Sequence, residues 1–354
     1  MIFNTPSACG GELHFFPMDE QMTKKIQRSA PVSPLRYPGA KRWMAGYISR
    51  AIACNKLSVD YFIEPFAGGA SVSLSLLHND IVEKVGLIER DPLIAAFWYT
   101  LFFDTDWLVN SVLKTEVTLE KWEILKDVQP VSTRQKAFKC LFLNRTSFSG
   151  ILKSNAGPIG GKAQTSKYKI DCRFTKNTIV NRIRQISEYR DRISFVWNLD
   201  WKAAIDGIIR LQRKGSLSKA ALFYLDPPFY KKGKTLYPCY FKQSNHIELR
   251  DYLIHFDQPW ILSYDLCPEI IEIYKDGGFN ACDVNLIYTI SNNGQRGLGK
   301  EVIVSNLPKM VSELQLGADK RTSNPKKLTS EFLRNNKSCV EAETGYDLQL
   351  KKAL

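Results

Sequence analysis

Paired cysteines are missing from this sequence. Its 8 cysteines, Cys9, Cys54, Cys140, Cys172, Cys239, Cys267, Cys282 and Cys339, lie scattered and form no CxxC. Cys9 and His14 are near neighbours, yet no second Cys or His pair completes a finger. A disulfide framework and a structural zinc site are therefore not expected, and reduced thiols are. Long apolar runs are missing too: none reaches the roughly 18 residues that span a bilayer. The opening MIFNTPSACGGELHFF has neither the basic stretch nor the unbroken apolar stretch of a secretory leader. These gaps leave a chain expected in the cytoplasm, with no membrane and no metal.

Acid is the scarcer charge. The 354 residues carry 49 Lys and Arg against 36 Asp and Glu, a net charge of +13, with 44% hydrophobic residues to build a core. Between residues 134 and 219 stand 19 basic residues and 5 acidic ones. Such concentration suits a polyanion, although a solvated basic face looks the same from charge alone.

Residues 1–30 show no sustained periodicity and are expected as an N-terminal arm. VDYFIEPFAGG then reads as a strand and a small-residue turn, SVSLSLLHND as a helix, VEKVGLIERDP as a strand, and LIAAFWYTLFF as a helix. That alternation is the βαβ pattern of a mostly parallel sheet with helices on both faces. Residues 104–214 hold helical segments, TRQKAFKCLFLN and IVNRIRQISEYRDRI, around the loop SFSGILKSNAGPIGGKAQTSKYKID. A loop of that length inside a folded chain is functional or disordered. ISFVWNLD, AALFYLDPP, PWILSYD and EVIVSN return to the strand pattern. The reading is an α/β domain, residues 31–103 and 215–308, interrupted by a basic, mostly helical insertion, residues 104–214. Residues 309–354, sparse in apolar side chains, are expected as a flexible tail.

Three stretches could carry chemistry. In FIEPFAGGASV, residues 62–72, a strand meets a glycine turn and a helix, so backbone can approach a ligand closely. The glycine pair alone fits an ordinary βα turn equally well, and the stretch matches neither GxGxxG nor a phosphate loop. Roughly twenty residues on, Glu89-Arg90-Asp91 ends the next strand, where an acid can accept hydrogen bonds from ribose hydroxyls. A nucleoside-containing cofactor is suggested. SPLRYPGAKRWM, residues 33–44, sets Tyr37, Gly39 and Lys41 in a tight turn that by itself reads as surface.

The segment Asp226-Pro227-Pro228-Phe229 discriminates further. It follows the apolar strand ALFYL, which in an open α/β sheet delivers Asp226 to the carboxyl edge where ligands bind. Proline makes the segment rigid. The Asp226 side chain and the Pro227 carbonyl offer two acceptors, which an amine on a planar ring needs, and Phe229 offers a face for the ring.

FIEPFAGGASV, DPPF and RYPGAK resemble the motifs of the Dam-like adenine-N6 DNA methyltransferases, the alpha group. Their order agrees, and NRTSFSG at 144–150 resembles that family's Asn-Arg-x-x-aromatic-x-Gly segment. PWILSYD and ISNNGQRGLGKEVIVSN resemble its remaining strands and loops, so the likeness covers residues 33 to 308. The resemblance implies a Rossmann-like methyltransferase sheet with an inserted target-recognition domain, S-adenosyl-L-methionine as cofactor, and double-stranded DNA as substrate. Carried over by residue, it puts the cofactor over Glu64, Pro65, Phe66, Ala67, Gly68, Gly69 and Ala70. Glu89 would meet the ribose ahead of Asp91, and Tyr37, Lys41 and Asp226 would complete the site. The target adenine would be flipped out and held by Asp226, Pro227, Pro228 and Phe229. DNA would meet Asn144, Arg145, Ser147, Lys153 and Lys162 of the insertion, with Tyr230, Lys231 and Lys232 continuing toward its backbone. A cognate restriction endonuclease, and a monomer or weak dimer, complete the expected setting.

Three departures from the family pattern stand out. Ala70 replaces the last glycine of the turn, so this position is expected to have φ < 0 or to tolerate a methyl. Ala40 stands where glycine is common, and Phe229 where tyrosine is frequent, which keeps stacking and loses a hydroxyl. Pro238-Cys239 resembles the nucleophile dipeptide of cytosine-C5 methyltransferases, but methylation of an exocyclic nitrogen needs no thiolate attack. The competing readings are cytosine-N4 methylation, an RNA substrate, and a catalytically silent DNA-binding module.

Overall fold

The computed structural model describes residues 32–311 apart from 38, 40, 276 and 289–296. The expected arm, Ala40 and most of the expected tail lie outside the described residues. Helix α1 (Met44–Cys54) precedes β1 (Tyr61–Glu64), α2 (Ser71–His78), β2 (Lys84–Ile88) and α3 (Pro92–Phe103). Four helices follow: α4 (Thr105–Lys114), α5 (Leu119–Asp127), α6 (Thr133–Thr146) and α7 (Lys176–Ser187). The chain then runs through β3 (Ile193–Trp197), α8 (Trp201–Arg213), β4 (Ala221–Leu225), the short α9 (Gly233–Leu236) and α10 (Gln243–Ile254). It closes with β5 (Trp260–Asp265), α11 (Pro268–Tyr274), β6 (Asn280–Tyr288) and β7 (Gly297–Ser305).

The 7 strands form one sheet in the order β3-β2-β1-β4-β5-β7-β6. Strands β1 to β5 pair in parallel, and β7 joins β5 antiparallel with β6 beyond it. Parallel strands are covered on both faces and so read as unbroken apolar runs; all of β4, ALFYL, is buried. Ile63, Phe223 and Leu225 pack with Ile205, Ile208, Leu249 and Ile270 on one side. By strand alternation Phe62 and Tyr224 face the other side, where their rings stack at 6.2 Å. The order in which strands are added reverses between β1 and β4, and ligands in such sheets bind at the carboxyl ends of the strands flanking that switch.

Two differences from the sequence reading concern boundaries. β3 and α8 fall inside residues 104–214 yet belong to the sheet layer, since β3 pairs with β2 and Trp201, Ala204, Ile205 and Ile208 join its core. Helix α8 presents a basic outer face, with Lys202, Arg210 and Arg213 all exposed, over the apolar stripe that joins this core. What lies between α3 and β3 is residues 104–192, whose helix α6 packs along α3. Strand β6 was not expected, because Asp283 and Asn285 break its apolar run. Its alternation of Cys282, Val284, Leu286 and Tyr288 was the available signal.

Candidate active site

Four acids stand at the carboxyl ends of the four central parallel strands. Glu64 ends β1, Glu89 follows β2, Asp226 follows β4 and Asp265 ends β5. The glycine turn after β1 is tied to this edge. Ala67 donates its N–H to the Ile88 carbonyl at 2.9 Å, Gly68 donates to Glu89 Oε2 at 2.9 Å, and Trp98 Nε1 donates to the Gly68 carbonyl at 2.8 Å. A side chain at Gly68 or Gly69 would collide with Tyr37, whose ring atoms lie 2.6 Å from the Cβ position of Gly68. Gly39 has φ +79°, and its Cβ position is 2.7 Å from the Phe229 ring. The stretch that read as a surface turn thus packs onto both other motifs. At Ala70 the φ < 0 alternative fails, since its φ is +48° in the left-handed region, and the position accommodates the methyl instead.

Glu89 Oε1 accepts the Asp91 N–H at 2.9 Å, and burial, with Asp91 nearby, pushes its carboxyl up to about 7. Asp91 is spent on α3, accepting the Leu93 N–H at 2.9 Å ahead of Pro92. Glu64 is buried, accepts the Ser73 hydroxyl at 2.5 Å, and is pushed by burial up to about 8.

Lys41 is fully buried, and its Nζ lies 2.8 Å from Asp226 Oδ1, 3.2 Å from Glu301 Oε2 and 3.1 Å from Ser263 Oγ. Burial alone would lower its pKa, but Asp226 and Glu301 hold it above the ordinary lysine value. Burial raises the Asp226 carboxyl, and Lys41 and Ser263 limit the rise. Lys41 and Ser263 both contact Asp226 through Oδ1. The next backbone is fixed from β5, where Asp265 accepts the Tyr230 N–H at 3.0 Å. Lys41 Nζ sits 5.6 Å from the Phe229 ring centre.

A cleft opens above this edge, lined by the glycine turn, Tyr37, Lys41, Glu64, Pro65, Glu89, Asp91, Asp226 and Pro228. Tyr237, Cys239, Phe241, Asp200 and Trp201 also line it and were not foreseen as site residues. Tyr237 stacks on Tyr37 at 5.7 Å. Neither Ser263 nor Glu301 was foreseen either; a serine and a glutamate inside apolar strands were the available signals. Bare glycine backbone and a buried acid with acceptor capacity left suit a ligand that offers hydroxyls, and the acidic edge suits one with positive charge.

Residues 37–290 match the family of D12 class N6 adenine-specific DNA methyltransferases. The chain belongs to that family. No curated protein matches it. The methyltransferase therefore uses S-adenosyl-L-methionine and modifies adenine in DNA, and neither cytosine-N4 methylation nor a silent module is favoured. The glycine backbone, Glu89 and the acidic edge fit that cofactor. Among the described residues no helix is long and apolar enough to cross a membrane, and no group of 3 or more metal-ligating side chains gathers.

The residues expected at DNA divide. Lys162, Lys231 and Lys232 are exposed, with Lys231 3.6 Å from Glu269. Lys153 is half-buried and donates to the Lys234 carbonyl, joining the insertion loop to α9. Asn144 and Ser147 are corrections, because both are buried and committed inside the chain. Asn144 bonds the Arg36 N–H at 2.6 Å and the Arg36 carbonyl at 3.0 Å, and Ser147 Oγ accepts from Trp122 at 3.0 Å. Tyr230 likewise turns inward, 4.9 Å from the His246 ring. Arg145 is buried, its Nε has no acceptor among the described residues, and burial beside Arg182, Arg36 and Arg173 lowers its pKa to about 10. The long loop is ordered, with Ser147 bridged to Pro158. Burial pushes the Cys239 thiol up to about 11, which keeps it protonated and poorly nucleophilic.

Proposed function

We propose that this methyltransferase acts on double-stranded DNA at a fixed short sequence, turns the target adenine out of the stack, and holds its amine at Asp226. The observation that carries the reading is the one-sided pinning of Asp226. Lys41 and Ser263 both hold Oδ1, and Oδ2 has no partner among the described residues. Oδ2 accepts one N–H of the amine and the Pro227 carbonyl accepts the other, so the nitrogen lone pair is directed into the cleft. Phe229 stacks on the base. S-adenosyl-L-methionine, when bound, supplies an electrophilic methyl group. Glu89 holds the ribose, and the backbone at Phe66, Ala67, Gly68, Gly69 and Ala70 holds the rest beside Tyr37. Asp226 orients rather than deprotonates in advance: the N–C bond would form as the sulfur–methyl bond breaks, its electron pair leaving with S-adenosylhomocysteine, and the nitrogen releases one proton to water without a covalent enzyme adduct.

In this reading residues 104–192 form the DNA-reading insertion. Arg145 with Arg36, Arg173 and Arg182, and the exposed Lys162, Lys231 and Lys232, take phosphates, which position the duplex without reading it. A cytoplasmic monomer or weak dimer acting beside a cognate restriction endonuclease fits this chemistry. Single-molecule sequencing of DNA from cells expressing the chain is expected to find N6-methyladenine at one short motif. Modified cytosine, or methylation confined to RNA, would overturn the reading.

A further inference from the structure

Glu301 is an unusual residue for its place. It sits in β7 beside β5, its side chain is 1% exposed, and the strand around it, Val302, Ile303 and Val304, is apolar and buried. A buried carboxylate is costly unless it is matched. The match here is Lys41, 3.2 Å away, which also reaches Asp226 Oδ1 at 2.8 Å and Ser263 Oγ at 3.1 Å. Lys41 donates to Ser263 in β5 and pairs by charge with two carboxylates, one just after β4 and one in β7.

We propose that Glu301 is a positioning residue for methyl transfer: it holds Lys41 on the side away from Asp226, so that Lys41 pins Oδ1 and leaves Oδ2 for the adenine amine. The inference rests on the reading of Asp226 given above. Two physical effects follow. A lysine on a flexible four-carbon stem is held by Asp226 and Ser263 alone if Glu301 is removed, and it can swing with the aspartate. Glu301 also shares the charge of Lys41, so Asp226 remains a stronger acceptor than it would be in an isolated ion pair. The other ionisable groups around Asp226 are Asp265 at the end of β5, Glu64 at the end of β1, Tyr37 ahead of α1, Tyr224 in β4, Tyr237 beyond α9 and Tyr264 in β5.

The test uses Glu301→Gln in the full chain. Turnover is expected to fall about 10- to 100-fold, with KM for S-adenosyl-L-methionine changed less than about threefold, because Glu301, unlike Lys41, does not line the cleft. In cofactor-free protein, lysine side-chain NMR is expected to show Lys41 titrating at lower pH once one carboxylate is gone. The acid limb of turnover is expected to move to lower pH as well, since Lys41 then serves Asp226 alone. A folded Glu301→Gln variant with wild-type turnover and an unmoved Lys41 titration overturns the proposal. If that variant does not fold, the paired Lys41→Met, Glu301→Leu variant removes both charges together, a change buried pairs often tolerate. Wild-type turnover there, or a loss clearly different from that of Lys41→Met alone, overturns the proposal; a loss equal to that of Lys41→Met, as a residue acting through Lys41 predicts, supports it. Asp226→Ala, run alongside, separates the two readings: an active Asp226→Ala sinks the reading of Asp226, while an inactive one beside a normal Glu301→Gln sinks only the role of Glu301.

Discussion

Two buried cations divide the molecule. Lys41, at the catalytic edge, lies within 3.2 Å of two carboxylates, whereas Arg145, in the insertion, has Arg182, Arg36 and Arg173 as its charged neighbours. The first arrangement is complete before any substrate arrives, and its geometry is already set. The second is incomplete: its positive charges repel one another and gain from a polyanion. Catalysis benefits from groups that need no rearrangement at the moment of reaction. A DNA-binding surface benefits from charge that only the substrate neutralises. On the proposed reading one fold serves both: Arg145, Arg173 and Arg182 come from the segment between α3 and β3, while the stretch 33–44 carries Arg36 to one cluster and Lys41 to the other.

The largest effect is expected at the complete cluster. Asp226→Ala should lower methyl transfer by at least about 10³-fold while S-adenosyl-L-methionine binding, measured by calorimetry, stays largely intact. Retained activity would break the assignment of Asp226 as holder of the amine. The variant should also melt lower than the wild type, because Lys41 loses its nearest counter-charge.

Legibility in the sequence follows the same division. Asp226-Pro227-Pro228-Phe229, the glycine turn and Glu89 could be read because each is a contiguous stretch at the end of an apolar strand. Tyr37 and Lys41 could be read only through resemblance, since nothing local tells that residues 33–44 fold back onto the glycine turn. Glu301 and Ser263 were hidden because their link to Lys41 exists only after β7 pairs with β5. Asn144 and Arg145 share one motif but not one fate: Asn144 bonds the Arg36 backbone, while the Arg145 Nε finds no acceptor. A motif records residue types, and only packing decides which way each side chain faces. The insertion boundary was misplaced for a similar reason. Charge marked the outer face of α8 and said nothing of the apolar stripe beneath.

A second measurement separates acids with a cation from acids without one. Glu64 is buried with Ser73 as its hydrogen-bond partner, and its carboxyl is pushed up to about 8 against an ordinary 4.5. A carboxyl with a raised folded pKa binds more protons folded than unfolded. Its contribution is fully present below pH 4.5 and is lost as pH rises toward 8. The cofactor-free protein should therefore lose on the order of 1–3 kcal/mol of stability from this group over that range. Glu64→Gln, which keeps an acceptor for Ser73, should flatten the pH dependence of thermal unfolding. An unchanged slope would show that the Glu64 carboxylate is matched in solution, as Asp226 is by Lys41.

At the incomplete cluster the expected sign reverses. Arg145→Ala should weaken DNA binding about tenfold and reduce the salt slope of binding by about 1, uniformly across DNA sequences. Free of DNA, the variant should melt no lower than the wild type despite the lost side-chain packing, because a like-charge cluster has been relieved. A marked drop in melting temperature with an unchanged salt slope would make Arg145 a structural residue and erase the contrast with Lys41.

The smallest effect is expected at Ala70, within the catalytic edge itself. Its φ of +48° lies where an L side chain costs about 1–2 kcal/mol, so glycine would relieve strain. Two terms oppose that gain: about 0.5–1 kcal/mol of backbone entropy and about 0.8 kcal/mol for losing a buried methyl, since Ala70 is only 1% exposed. The sum leaves Ala70→Gly within about 1 kcal/mol of the wild type by denaturant unfolding. Gly68 makes the informative control, because its Cβ position lies 2.6 Å from Tyr37 and the ring would have to move. A near-neutral Ala70→Gly beside a damaged Gly68→Ala would show that the turn is held by contact with Tyr37 rather than by backbone preference. That is why an alanine can stand where the family usually has glycine.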